Sequence, residues 1–228
     1  MLKQRKKLIV LFLTLVVSLI GLETFLDILL PGLSTGAPIT QTGTISIKNV
    51  PETDVEFVST AIELLQELDW WQDDPDFLGL SRKIGCFQVD DPPRNRLLSF
   101  RKANRITLFT ENVHYATVEF SNDGTELSYR LENYRVSKTQ PTTRLNLTKV
   151  RIESKEALKL AEENGGKFLR ELINDECYIY MDIDKDQNWE VDYSQQNPFK
   201  RLLCLDIDSK SGKVKQIPER GFSPCQLK

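Results

Sequence analysis

The residues best suited to chemistry are carboxylates in the last quarter of the chain. Asp184, Asp186 and Asn188 have the opening spacing of an EF-hand calcium loop, in which alternate oxygen donors wrap a hard cation. The pattern then fails. Trp189 stands where glycine makes the turn and Gln195 where a bidentate glutamate belongs. Starting the loop at Asp182 puts Gln187 and Tyr193 in those places, which is no better. What remains is an acidic patch of Asp182, Asp184, Glu190, Asp192, Asp206 and Asp208, able to hold calcium loosely or dock a basic partner, with a solvated sheet face as the plain alternative.

No catalytic constellation accompanies it. His114, the only histidine, would need a nucleophile and an orienting acid beside it in space, and it shares the parity of Ala116 and Val118 at the edge of a buried face. Asn164-Gly-Gly-Lys167 is not a phosphate loop, since Ala161 replaces its first glycine and Phe168 its hydroxyl residue. Asn146-Leu-Thr148 is a glycosylation sequon only in a host that glycosylates what it secretes. Neither a cofactor nor a nucleic-acid partner is indicated.

Two further groups are candidates for partner binding. Trp70 and Trp71 form an aromatic pair that suits a ligand platform or, more plainly, the cover of a helix end. Arg94, Arg96 and Arg101, with Lys102 and Arg105, make a basic cluster that could meet anionic headgroups or an acidic partner. The four cysteines, Cys86, Cys177, Cys204 and Cys225, are too far apart for zinc pairs and read as disulfide formers if the body lies outside the cytoplasm. Cys204 has the parity of Asp206, away from the apolar face, where the tail carrying Cys225 could reach it; the connectivity stays open.

The elements that must position these residues are mostly strands. Cys177 to Asp184, Trp189 to Tyr193, Arg201 to Asp208 and Lys213-Val214 alternate apolar and polar residues with period two. Pairing the first two with their odd-numbered sets inward requires an odd number of loop residues, three or five. Ser154 suits a helix N-cap, Ala157, Leu160 and Ala161 the inner face, and Gly165-Gly166 a stop before a second helical piece from Lys167 to Ile173. Upstream, Thr53 and Glu56 have capping-box spacing before Val58, Ala61, Ile62, Leu65 and Leu68. Arg105–Phe120 and Glu126–Val136 read as a hairpin about Ser121-Asn-Asp-Gly124. The stretch from Gln72 to Asn104, with three prolines and two glycines, reads as the least regular part.

The start of the chain has a different character. Lys3, Arg5, Lys6 and Lys7 form a basic tail, residues 1–7; of 30 Lys and Arg, 26 remain against 33 acidic residues in the rest. Residues 8–30 are predominantly apolar and long enough as a helix to cross a bilayer, with a cleaved signal peptide as the alternative. The charge bias keeps the N-terminus cytoplasmic and sends everything after Pro31 outside, a single-pass protein of the cell membrane. A linker over 31–44, a first α+β module over 45–136, a connection over 137–149 and a second α+β module over 150–228 complete the expected plan.

A helix with alanines inside (Ala157, Ala161), Trp189-Glu-Val191, Leu205-Asp-Ile-Asp208 and Ser211-Gly-Lys-Val214 together resemble, over residues 150 to 217, the PepSY family of small extracytoplasmic α+β modules. With the transmembrane helix expected over 8–30, the resemblance gives an expected α+β fold of one or two helix-plus-antiparallel-sheet modules following that helix. It also implies a binding module, a peptidase inhibitor or regulator whose partner is a peptidase or another envelope protein, and it supplies no catalytic residues. The competing readings are a structural or assembly subunit of a membrane complex, and a hydrolase built on His114.

Overall fold

The structure, a computed structural model, describes residues 39–68, 75–105, 110–137, 144–173, 177–196, 199–220 and 223–225. In chain order these form β1 (Ile39–Ser46), α1 (Asp54–Glu67), β2 (Asp76–Gly85), β3 (Arg96–Arg105), β4 (Thr110–Phe120) and β5 (Glu126–Ser137). There follow α2 (Ser154–Ala161), α3 (Lys167–Leu172), β6 (Cys177–Ile183), β7 (Trp189–Gln195), β8 (Lys200–Ile207), β9 (Val214–Gln216), β10 (Glu219–Arg220) and β11 (Ser223–Pro224). Nine strands make one sheet in the order β1-β5-β4-β3-β2-β6-β7-β8-β9, and β10 pairs with β11. The chain divides into two units. The larger takes in residues 40–102, 115–131 and 141–228; the described part of the smaller consists of residues 39, 103–105, 110–114 and 132–137.

This architecture corrects the expected fold class. In place of one or two helix-plus-sheet modules following a transmembrane helix, the described chain is mostly a single antiparallel sheet of nine strands. Among the described residues no helix is long and apolar enough to cross a membrane, and the expected basic tail and anchor, residues 1–7 and 8–30, lie outside them. The expected linker over 31–44 is also shortened, because residues 39–44 belong to β1, where Ile39-Thr-Gln-Thr-Gly-Thr offers β-branched residues to a strand.

Within the larger unit β2 pairs antiparallel with β3 on one side (Leu80 opposite Leu98) and with β6 on the other (Arg82 opposite Met181, Ile84 opposite Ile179). Both β2 and β3 come from the stretch expected to be irregular. Their alternation is disguised in two ways. The inward positions include Arg82 and Arg96 beside Leu80, Ile84, Leu98 and Phe100, and a register shift between Phe77 and Gly79 switches the parity of β2. Pro92 and Pro93 lie in the connection, not in either strand.

The later strands follow their alternation. Five residues join β6 to β7, Ile183 stands opposite Trp189, and Cys177, Ile179, Met181, Trp189, Val191 and Tyr193 are all buried. β4 and β5 form the expected hairpin, although its first strand begins at Thr110. Its turn is held by Gly124 at φ +75°, by Ser121 Oγ donating to Asp123 Oδ1 at 2.6 Å, and by the Thr125 N–H donating to the same oxygen at 3.0 Å.

The inward face is covered by helices. α1 starts with the expected capping box, Glu56 N–H to Thr53 Oγ1 at 3.2 Å and Thr53 N–H to Glu56 Oε2 at 3.2 Å, and sets Phe57 edge-on to Phe120 at 4.7 Å. Between α2 and α3 the helix is broken at Gly165, φ +112°. This wide turn lets Gly166 lie directly on the Tyr193 hydroxyl, where a Cβ would collide with it. Tyr193 in turn donates to Glu162 Oε1 at 2.7 Å, so the break clamps α2–α3 to the sheet.

Two outcomes follow from this packing. Gly166→Ala, which forces Tyr193 or the helix to shift, lowers stability by about 1–3 kcal/mol, read as a fall in the urea midpoint. The Asp123 carboxyl is drawn down to about 2, chiefly by the Ser121 hydroxyl and then by Thr125. The stability it lends the turn is thus complete above the ordinary carboxylate range and lost as pH falls through that value. NMR titration of its carboxyl carbon checks this, and an ordinary midpoint would mean that the turn lacks these bonds.

Candidate functional site: a buried arginine pair at the head of a groove

Burying an ion costs several kcal/mol unless its partners are close and its hydrogen bonds are filled. The inward arginines of β2 and β3 meet this condition unequally. Arg82 and Arg96 are 4% and 5% exposed, and they converge with Asp54 from α1 and Ser154 from α2, both also buried. Arg96 donates through Nε to Asp54 Oδ1 at 2.8 Å and through Nη2 to Ser154 Oγ at 3.1 Å, while its guanidinium lies 4.6 Å from the Phe57 ring centroid. Arg82 donates through Nη1 to Ser154 Oγ at 3.0 Å and through Nη2 to the Pro93 carbonyl at 2.6 Å. Its Nε has no acceptor among the described residues.

Asp54 is the centre of the cluster. One of its oxygens accepts the Ser154 hydroxyl at 2.8 Å, and the other accepts the Ser154 N–H. Asp54 therefore stands in the first turn of α1 and also caps the start of α2, where negative charge is favoured by both helix dipoles. Ser154 is not the N-cap that its type suggests. Glu153 holds that position, and the serine hydroxyl is turned inward to the arginines. Burial pushes both arginines down, with the Arg96 charge adding to the effect at Arg82 and Asp54 opposing it at both. Burial, then the Asp54 charge, raises the Glu153 carboxyl.

Two depressions open beside this cluster. One, of about 540 Å³, is lined by Arg82, Arg94, Arg96, Glu52, Asp91 and Phe57 among others. The second, about 700 Å³, runs along α2 past Val89, Leu158, Lys159, Glu162 and Arg170. They share Asp90, Pro92, Glu153 and Lys155 and so form one groove between the β2–β3 connection and the α2–α3 unit. Val89, Pro92 and Leu158 give it apolar surface between charged walls. At its far end Arg170 grips Glu162 at 2.6 Å and the Cys86 carbonyl at 3.0 Å.

The basic cluster expected to bind a partner is not one surface. Arg94 is exposed at the groove, Arg96 is buried, and Arg101, next to inward Phe100, has the outward parity. Arg94 lies in the connection before β3, and within the strand Arg96 and Arg101 have opposite parity and so point to opposite faces, which keeps the three apart. Trp70 and Trp71 lie outside the described residues.

Half of the acidic patch, Glu190, Asp192 and Asp206, is paired with the chain's own arginines, while Asp182 and Asp208 stay exposed. Arg220 reaches Glu190 at 2.7 Å, Asp192 at 2.8 Å and Asp206 at 2.8 Å, and Arg201 adds a contact to Asp192 at 3.2 Å. Asp182 accepts the Ser81 hydroxyl. Asp184 and Asp208 cap turns, accepting the Asn188 N–H at 2.7 Å and the Ser211 N–H at 2.8 Å. Among the described residues no group of three metal-ligating side chains is placed to hold an ion. The strap that carries Arg220 is tied to β8 by a disulfide between Cys204 and Cys225, and a second disulfide joins Cys86 to Cys177. His114, in the smaller unit, has Nε2 at 3.2 Å from the Asn112 amide, which is neither nucleophile nor acid.

Asp54, Ser154 and Arg82 are the residues that sequence reasoning missed. An arginine on the parity of Leu80 and Ile84 is the signal that could have found Arg82, because charge at an inward position requires a buried partner. No protein-family model, no curated protein and no solved structure matches this chain. The functional reading therefore rests on the site itself.

Asp54→Ala removes the carboxylate from beneath two buried guanidiniums and is expected to cost about 3–5 kcal/mol, against less than about 0.5 for Lys215→Ala on the surface. Urea unfolding of the two variants measures the difference, and equal losses would remove the cluster from its central place.

Proposed function

We propose that this protein is a binding module working outside the cytoplasm, which takes an extended segment of another envelope protein into the groove beside α2. A peptidase is the partner class that the PepSY resemblance implies, and inhibition or regulation is what occupancy of the groove would produce. The observation that carries the reading is the groove itself: two adjoining depressions with apolar surface between charged walls, as a docking site for a polypeptide requires. The location is supported by the disulfides, which take up all four cysteines and persist in oxidising compartments. It is supported also by the basic and then apolar opening of the sequence, which would bring the body to the membrane.

A structural or assembly role is the second reading. It is favoured by Phe87, Phe168, Leu172 and Phe199, which are 77%, 64%, 62% and 55% exposed.

Site-specific photocrosslinking of the full chain in its own membranes separates the two. A photoreactive phenylalanine at Glu156 or Lys159 is expected to give one discrete adduct, and the same probe at Lys83, on the outer face, none. A peptidase in that adduct, inhibited when purified full chain is added, completes the proposal. Adducts from Phe87 and Phe199 to membrane subunits, with none from the groove, would replace it with assembly.

A further inference from the structure

The geometry points to a carboxylate-recognition site at the head of the groove, where the buried guanidinium of Arg82 receives an anionic oxygen carried by the bound segment. This rests on the reading of the groove as a polypeptide site. Two buried cations, Arg82 and Arg96, have one buried carboxylate between them, and the contacts assign it to Arg96. Arg82 donates only to neutral oxygens, those of Ser154 and Pro93, and its Nε is left without an acceptor among the described residues although the residue is 4% exposed. A guanidinium offers its donors in a planar fork matched to a carboxylate, and an oxygen entering from the depression completes the unfilled position once the side chain turns its Nε, buried in this structure, toward it.

Three features of the surroundings agree. Arg82 lines the 540 Å³ depression, which is large enough for a carboxylate and the residue that bears it. Thr53 and Glu153, the N-cap residues of the two longer helices, line it as well, so both positive dipole ends open there. The remaining charges select among anions. Glu52, Asp90, Asp91 and Glu153 stand around the depression with Arg94 and Lys155. A compact, multiply charged anion such as phosphate would meet all four carboxylates. A single carboxylate on a peptide enters with one charge, and its neighbouring residues, particularly basic ones, pair with those acids.

The carboxylate can come from a polypeptide C-terminus or from an Asp or Glu side chain, and small probes distinguish these. The full chain in detergent, isotope-labelled at arginine, is titrated with N-acetylglycine, which bears only a terminal carboxylate. A second titration uses N-acetylisoglutamine, which bears only a side-chain carboxylate, and acetamide serves as the neutral control at matched ionic strength. The Arg82 Nε–Hε resonance, assigned by its loss in Arg82→Lys, is expected to shift saturably with a carboxylate. Acetamide is expected to bind at least roughly tenfold more weakly, the ratio that one charge-assisted hydrogen bond gives. Tighter binding of N-acetylglycine assigns the site to a C-terminus, and tighter binding of N-acetylisoglutamine to an acidic side chain. An Arg82 resonance that responds equally to acetamide, or to nothing, overturns the inference and leaves the guanidinium to water. That failure leaves the groove adducts from Glu156 and Lys159 intact, whereas loss of those adducts with carboxylate binding retained would strike the polypeptide reading alone.

Discussion

The structure depends on one buried carboxylate. Asp54 begins α1, caps α2 through the Ser154 backbone and pairs with Arg96 from β3, so both helical units and the middle of the sheet meet on two oxygen atoms. Apolar contacts alone would let the helices slide over the sheet, since dispersion and the hydrophobic effect are not directional. Hydrogen bonds from a charged group are directional, and in a low-dielectric interior a misplaced partner is expensive. The Asp54 cluster therefore sets where the helices start, and with that the walls of the groove.

The two faces of the sheet solve the same problem differently. On the inner face helices cover apolar side chains, and Asp54 and Arg96 are sealed with each other and with Ser154. On the outer face of β6, β7 and β8 charges predominate, and three of the carboxylates are bridged by a strap: Arg220 spans them and the Cys204–Cys225 disulfide ties the strap to β8. The middle of an acidic surface that looks ready for a cation or a basic partner is in this way already occupied by the chain's own arginine. The opposite case is Arg82, an arginine whose hydrogen bonds go to neutral oxygens and not to a carboxylate. Function is more credibly sought where the protein leaves a buried charge incompletely served than where it has closed a network.

Long-range pairing explains most of the differences between expectation and fold. The β6–β7 turn, the hairpin after β4 and the capping box of α1 are legible because each is decided within a few residues. The joining of β2 to β6 is not, because the paired residues are about a hundred positions apart and nothing in either strand names the other. β2 and β3 were hidden for a further reason. A buried arginine and a register shift break the period-two pattern on which strand recognition depends, and both are tolerable only because Asp54 and Ser154 arrive from elsewhere in the chain.

By itself, then, the sequence determined what local physics decides: the alternation of the last strands, the odd-length turn between β6 and β7, the helix break at Gly165-Gly166 and the cap at Thr53. These depend on backbone sterics and on side chains a few positions apart. Only the tertiary structure decided that the strands form one sheet, that the middle of the acidic face is closed by Arg220, that Arg96 points inward and Arg94 outward, and that Arg82 stands at the head of a groove. Each of these is set by which distant residue is near enough to pair with a charge, and charge pairing in a folded protein is a property of three-dimensional neighbours, not of neighbours along the chain.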